Sequence, residues 1–101
     1  MIKEFTRDEY AECVGTDFIF SFSPEYKVTM KLTEVTPELE KFRQRTYVLT
    51  FMAPEDTPIV QGMAPFENEK LGQTEIFIVP VGKDNRGVLF ESVFNKLLDP
   101  A

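Results

Sequence analysis

The chain has 101 residues, 17 acids against 11 bases for a formal net charge of −6, one cysteine and no histidine. Its 43% hydrophobic content, with ten Phe and three Tyr, supplies one self-sufficient core, and 28% charged residues place it outside the disordered classes. These counts exclude an internal disulfide, histidine-based zinc or nucleophile chemistry, and the basic surplus on which phosphate-backbone binding draws.

The first element is a helix with an explicit start. Thr6 and Glu9 have capping-box spacing, and Phe5 and Tyr10 have that of a hydrophobic staple. Asp8 and Glu9 fall in the first turn, where the helix dipole favours acids. Tyr10, Cys13 and Val14 share one face, and Gly15 can end the helix in a left-handed conformation. The spacing predicts two to three turns with one apolar stripe.

The period then changes to two. Phe18, Phe20 and Phe22 alternate with Asp17, Ile19 and Ser21, and Ser23-Pro24-Glu25 turns the chain. Tyr26, Val28, Met30 and Leu32 take one face of the next strand, with Lys27, Thr29, Lys31 and Thr33 on the other. That is the half-buried pattern of an antiparallel sheet. Thr36-Pro37-Glu38 reads as a helix cap followed by a single turn, or as a plain loop, up to Phe42. A third strand runs over 46–53, with Tyr47, Leu49 and Phe51 inward. Pro54 and Pro58 bracket an acidic turn. A weaker strand over 59–66 contains Pro65, which lacks a ladder donor and predicts an edge or a bulge. Gly72 ends a loop, and a closing hairpin pairs 73–82 with 87–95 around Lys83-Asp84-Asn85-Arg86. The expected fold is mainly β: one domain over 1–101, a compact antiparallel barrel or sandwich of five to six strands with a short N-terminal helix.

Chemistry-bearing residues are few. Cys13 sits near the end of its helix, away from the dipole end that favours a thiolate, and reads as a packed thiol. The acid pairs Asp8/Glu9, Glu38/Glu40, Glu55/Asp56 and Glu67/Glu69 lie in polar stretches that face water, and the first already has a capping role. Lys41, Arg43 and Arg45, beside Glu38 and Glu40, read as a solvated loop. Asp84-Asn85 lacks the alternating ligand series of a calcium loop and reads as a turn. No catalytic, cofactor or metal residue is assigned. The opening Met1-Ile2-Lys3-Glu4 has no apolar stretch behind it, so no signal peptide is expected. No apolar run approaches the ~20 residues of a membrane helix. A lone cysteine fits a reducing compartment, so a soluble, cytoplasmic protein is expected.

The closing hairpin is apolar on both sides. If Gly82 pairs with Gly87, counting places Glu91 opposite Ile78. One side then carries Phe77, Val79, Val81, Val88 and Phe90, and the other Ile76, Ile78, Leu89 and Val93. A two-sided apolar strand must be covered twice. Either the Tyr10/Val14 helix or the Leu97-Leu98 tail covers the second side, or a partner protein or second copy does. The set Phe77, Val79, Val81, Val88 and Phe90 is the candidate protein interface.

Gln61-Gly62, Leu71-Gly72, the run from Ile76 through Phe77, Ile78, Val79, Pro80 and Val81 to Gly82, and Phe90-Glu91-Ser92-Val93-Phe94-Asn95 together resemble a family. It comprises uncharacterised bacterial proteins of about this length, a domain of unknown function. The helix followed by Gly15-Thr16 and Phe18 is similar too, so the likeness spans nearly the whole chain. The sequence departs from the pattern at Met63-Ala64-Pro65 and in having Phe90 where a Tyr is common, which bears on the fourth strand and not on the overall fold. The resemblance carries no catalytic residues and implies an accessory or structural part of a phage-tail-like or tail-collar assembly. The expected function is therefore a non-enzymatic interaction protein with a protein partner or self-association, and without cofactor, nucleic acid or membrane. The alternatives are a small-ligand barrel with a cavity lined by Phe18, Phe20, Tyr47 and Phe51, and a carboxylate-based hydrolase.

Overall fold

In a computed structural model, residues 4–97 are described. Helix α1 (Arg7–Ala11) precedes seven strands: β1 (Asp17–Ser23), β2 (Tyr26–Val35), β3 (Leu39–Lys41), β4 (Gln44–Ala53), β5 (Gly62–Asn68), β6 (Gly72–Asp84) and β7 (Gly87–Leu97). All pairings are antiparallel, in the order β2-β1-β5-β6-β7-β4-β3, and a further β2–β4 pairing brings the sheet nearly round into a ring.

Two long strands make the corners. β2 pairs with β1 from Tyr26 to Lys31 and with β4 from Lys31 to Val35, with a register shift between Leu32 and Glu34. β6 pairs with β5 from Gly72 to Ile78 and with β7 from Val79 to Asp84, with a shift between Pro80 and Gly82. Each strand thus leaves one neighbour and joins the next at a bend, as strands do where sheets turn a corner. The sheet is a near-ring and not a formal barrel.

The period-two strands put their apolar residues inside as expected. Phe18, Phe20, Val28, Met30, Leu32, Leu49, Phe51 and Phe66 are buried. Phe18 and Phe20 each meet Phe51 and Phe66 at ring-centroid separations of 5.0–5.5 Å. Burying each such ring stabilises the fold by roughly 1.5–3 kcal/mol.

At one end of the ring, α1 forms as its cap predicts. Thr6 Oγ1 accepts from Glu9 N at 3.1 Å, and Thr6 N donates to Glu9 Oε1 at 2.8 Å. Phe5 and Tyr10 close the staple at 5.8 Å. Tyr10 then reaches Phe94 (5.5 Å) and Phe66 (6.5 Å), so the helix plugs the ring end. Gly15 takes φ 89, and its N–H donates to Leu32 O at 2.7 Å. The helix is shorter than expected and ends at Ala11, so Val14 belongs to the turn beyond it and is exposed; the stripe is Tyr10 and Cys13.

Three expectations are corrected. Thr36 caps no helix. Its N–H donates to Val48 O at 3.0 Å and its Oγ1 accepts from Val48 N at 2.8 Å, which ties the segment after β2 alongside β4, and the following residues form the β3–β4 hairpin. Its tip, Phe42 (φ 53) and Arg43 (φ 61), is a two-residue turn without glycine. Strand β5 starts at Gly62 rather than Ile59, and it is flanked on both sides rather than lying at an edge. Pro65 still leaves its mark: the β1–β5 ladder stops at Phe20–Phe66, one residue before the missing donor.

Candidate interaction face

The closing hairpin turns through two residues, Asn85 and Arg86, with Asp84 paired to Gly87. Asp84 makes the turn: its carboxylate accepts from Arg86 N (2.7 Å) and from the Arg86 guanidinium (2.9 and 3.3 Å). The same contacts hold the Asp84 carboxyl below its ordinary range. Gly87 fixes the crossing. It has φ 151, and a Cβ there would strike the Ala53 carbonyl oxygen, so β7 can pass β4 only with glycine at this point.

A two-residue turn in place of four shifts the register by two, and the bulge at Val81 returns one. The net slip is one residue below the bulge: Val79 lies opposite Glu91, where counting from Gly82–Gly87 put Phe90. In a strand, one residue exchanges the faces. The predicted interface set therefore divides. Val88 and Phe90 are fully buried with Ile76 and Ile78, whereas Phe77 and Val81 are exposed and Val79 is half-buried on the outer side. The outer side also carries Leu89, Glu91 and Val93. The signal that could have shown this was the Asp84 to Gly87 spacing of a two-residue turn.

Among the described residues, no internal cover protects that side. Helix α1 sits at the ring end with Val14 in water, and of the Leu97-Leu98 tail, Leu97 closes β7 while Leu98 lies outside the described residues. Phe77 is 47% exposed and Val93 60%. Met63, paired with Phe77, extends the apolar surface onto β5 and is exposed too. Val48, paired with Val93, and Met52, paired with Leu89, extend it onto β4. The positions of β4–β7 that share this outward side carry Glu67, Glu75 and Glu91 and no lysine or arginine. The face is apolar and acidic. Sequence reasoning missed Met63, Val48 and Met52, which only strand pairing brings together.

Elsewhere the titratable groups serve structure. Cys13 is buried, with its thiol pushed up by burial, and its Sγ lies 3.7 Å from Asn68 Oδ1. Asn68 ties the helix end to the β5–β6 turn. Its amide donates to Thr16 Oγ1 (3.0 Å) and Asp17 O (2.9 Å), and its Oδ1 accepts from Lys70 N (2.9 Å) and Leu71 N (3.0 Å). Nothing in the local sequence pattern marks it. Burial pushes the Tyr47 phenol up to about 12 and raises that of Tyr10 further. Of the acid pairs, Glu9 serves the cap, Glu38 and Glu40 face Arg45 at 4.0 and 3.4 Å, and Glu67 accepts from Gln73 at 2.9 Å. Glu55 and Asp56 are exposed. Among the described residues, no three cysteine or acidic side chains converge, and no helix is long and apolar enough to cross a membrane.

No curated protein and no solved structure matches the chain. A family model does, that of a domain of unknown function, DUF6916, and the match covers residues 5–94. It runs from the Phe5 staple to Phe94 on β7, taking in the helix, the ring and the segments 76–82 and 90–94 that carried the resemblance. The chain therefore belongs to the DUF6916 family.

Proposed function

We propose that this protein is a non-enzymatic interaction protein, an accessory or structural component of a larger bacterial assembly, which docks through the outer face of β5, β6 and β7. The carrying observation is the uncovered apolar surface of Phe77, Val81, Val93 and Met63 on a hairpin whose other side already fills the core. Apolar area left in water forgoes about 25 cal/mol per Å², and a contiguous patch of this kind marks an interface. The family resemblance adds a phage-tail-like setting, and the lone buried cysteine fits a cytoplasmic one. A net charge of −6 offers no counterion-release drive toward nucleic acid.

The near-ring reads as a small barrel filled by its own side chains. Phe18, Phe20, Phe51 and Phe66 occupy its centre, and Tyr47 stacks on Phe94 at 4.9 Å instead of lining a space. That disfavours the ligand-barrel alternative. The hydrolase alternative would need two acids set apart by environment around one substrate, whereas the acid pairs here face water or serve caps and hairpins.

The test is chemical cross-linking of tagged protein in its native cell, comparing the parent with Phe77→Asp. The parent should retain discrete protein partners, its own untagged copy included, that Phe77→Asp loses while its circular dichroism is unchanged. The same partners at the same yield on the folded variant would refute the reading.

A further inference from the structure

A second exposed feature has no place in the fold or in the outer face. The β3–β4 hairpin ends in Lys41-Phe42-Arg43, and Phe42 is 85% exposed. Lys41 Nζ stands 5.3 Å from the Phe42 ring centroid, so the tip presents an aromatic ring beside positive charge. Phe42 and Arg43 both hold positive φ, the geometry of a two-residue turn that normally takes Asn-Gly. A side chain there costs roughly 1–2 kcal/mol per residue relative to its usual backbone. A bulky ring kept in a strained turn and pointed into water buries little in its own chain, and such outliers concentrate at functional positions.

Resting on the interaction reading above, we propose that the outer face of β5–β7 takes the β3–β4 tip of a second copy of this chain, in a head-to-tail contact. Chemistry matches the two surfaces. The tip brings an aromatic ring with Lys41 and Arg43; the face offers Phe77, Val79, Val93 and Met63 with Glu67, Glu75 and Glu91 on the same side. Aromatic insertion beside an opposite charge is how interface anchors bind and orient. The tip cannot reach its own face. Gln44 follows the tip, while Val48, paired with Val93 at the near edge of the face, stands four residues further along β4, about 13 Å at ~3.3 Å per residue and beyond the reach of a phenylalanine ring. The contact must therefore join two molecules. Made once per pair, the contact uses different patches on the two partners and propagates to rings or filaments; made reciprocally, it closes a two-fold dimer.

The test is solution mass by sedimentation on the full chain, for the parent, Phe42→Gly, Phe77→Asp and the two variants mixed. Phe42→Gly removes the ring while easing the positive φ, so it should fold with an unchanged or raised unfolding midpoint. If Phe77→Asp loses its circular dichroism signal, Phe77→Thr, which keeps a strand-forming residue, takes its place. The parent should form concentration-dependent oligomers. Each variant alone should weaken self-association by on the order of 30-fold or more, as hot-spot truncation does. The mixture should recover a one-to-one complex and nothing larger, since Phe42→Gly keeps an intact face and Phe77→Asp an intact tip. A mixture as monomeric as its parts would overturn head-to-tail docking, and so would Phe42→Gly oligomers as tight as the parent's. A parent that stays monomeric at every concentration would overturn self-docking. In that event, loss of cellular partners on Phe77→Asp would still uphold the interaction reading, so the two ideas fail separately.

Discussion

The helix end and the closing hairpin of this molecule meet the same need, covering apolar strands, in opposite ways. At the helix end, cover comes from within. Tyr10 plugs the ring, Asn68 binds both Thr16 and the β5–β6 turn, and Gly15 and Thr16 close onto Leu32. At the hairpin, Ile76, Ile78, Val88 and Phe90 complete the core while Phe77, Val81 and Val93 face water. Where a sheet's second face is covered internally, the chain supplies polar ties that fix the cover. Among the described residues, no element performs that task on the outer face. The apolar residues there do not serve the fold, and that contrast makes them candidates for a partner.

The contrast breaks first at Gly87. Gly87→Ala forces β7 off the Ala53 carbonyl at the point that sets the register of both faces. We expect a loss of about 3 kcal/mol or more, read from urea midpoints. A variant as stable as the parent would show that this glycine does not fix the crossing.

Asn68→Ala attacks the opposite end. It leaves Lys70 N and Leu71 N without their side-chain acceptor and removes the amide that donates to Thr16 Oγ1 and Asp17 O. The expected cost is about 2–3 kcal/mol. Alkylation of Cys13, which needs denaturant in the parent, should become faster in native Asn68→Ala, because the thiol packs against this residue. Equal alkylation rates in the two proteins would separate Asn68 from the cover.

Alkaline pH weakens the same end. Burial raises Cys13, Tyr10 and Tyr47 above their ordinary values of 9.0 and 10.0, with Tyr47 reaching about 12. The folded state keeps protons that the unfolded chain releases. Stability from these groups is therefore complete below pH about 9 and is lost as pH rises through their folded values. Urea midpoints should be level up to that point and fall above it, and Tyr47→Phe should flatten the upper part of the fall. A Tyr47→Phe profile that falls as steeply as the parent's would remove Tyr47 from the explanation.

The smallest effect concerns the cap itself. Thr6→Ala removes one half of the capping box and should cost about 1 kcal/mol. An unchanged midpoint would mean that the helix start contributes nothing to holding Tyr10 in place.

How much was legible in the sequence follows the same division. The helix start, the inward Phe18/Phe20 and Val28/Met30/Leu32 faces and the left-handed Gly15 could be read directly, because each depends on neighbours within a few residues. Faces across strands could not. The hairpin register depends on whether the turn uses two residues or four and on a bulge at Val81, and a slip of one exchanged the sides assigned to β6 and β7. The β3 strand was missed because Thr36-Pro37-Glu38 imitates a helix start, while its real partner, Val48, lies 12 residues away. Asn68 was missed for the same kind of reason: its meaning comes from Cys13 and Thr16, more than 50 residues earlier.

Adjacent residues on β6 offer the most direct measurement. Ile78 is 1% exposed and Phe77 47%, so one carbonyl-to-carbonyl step separates the core side from the outer side. Circular dichroism, urea midpoint and cross-linked partner yield should be measured on Ile78→Asp and Phe77→Asp side by side. Ile78→Asp should unfold, because a buried carboxylate without a partner is not tolerated in so small a core. Phe77→Asp should keep the parent's spectrum and midpoint within about 0.5 kcal/mol and lose its partners. Unfolding of Phe77→Asp, or full retention of partners by a folded Phe77→Asp, would contradict the assignment of the outer face to binding.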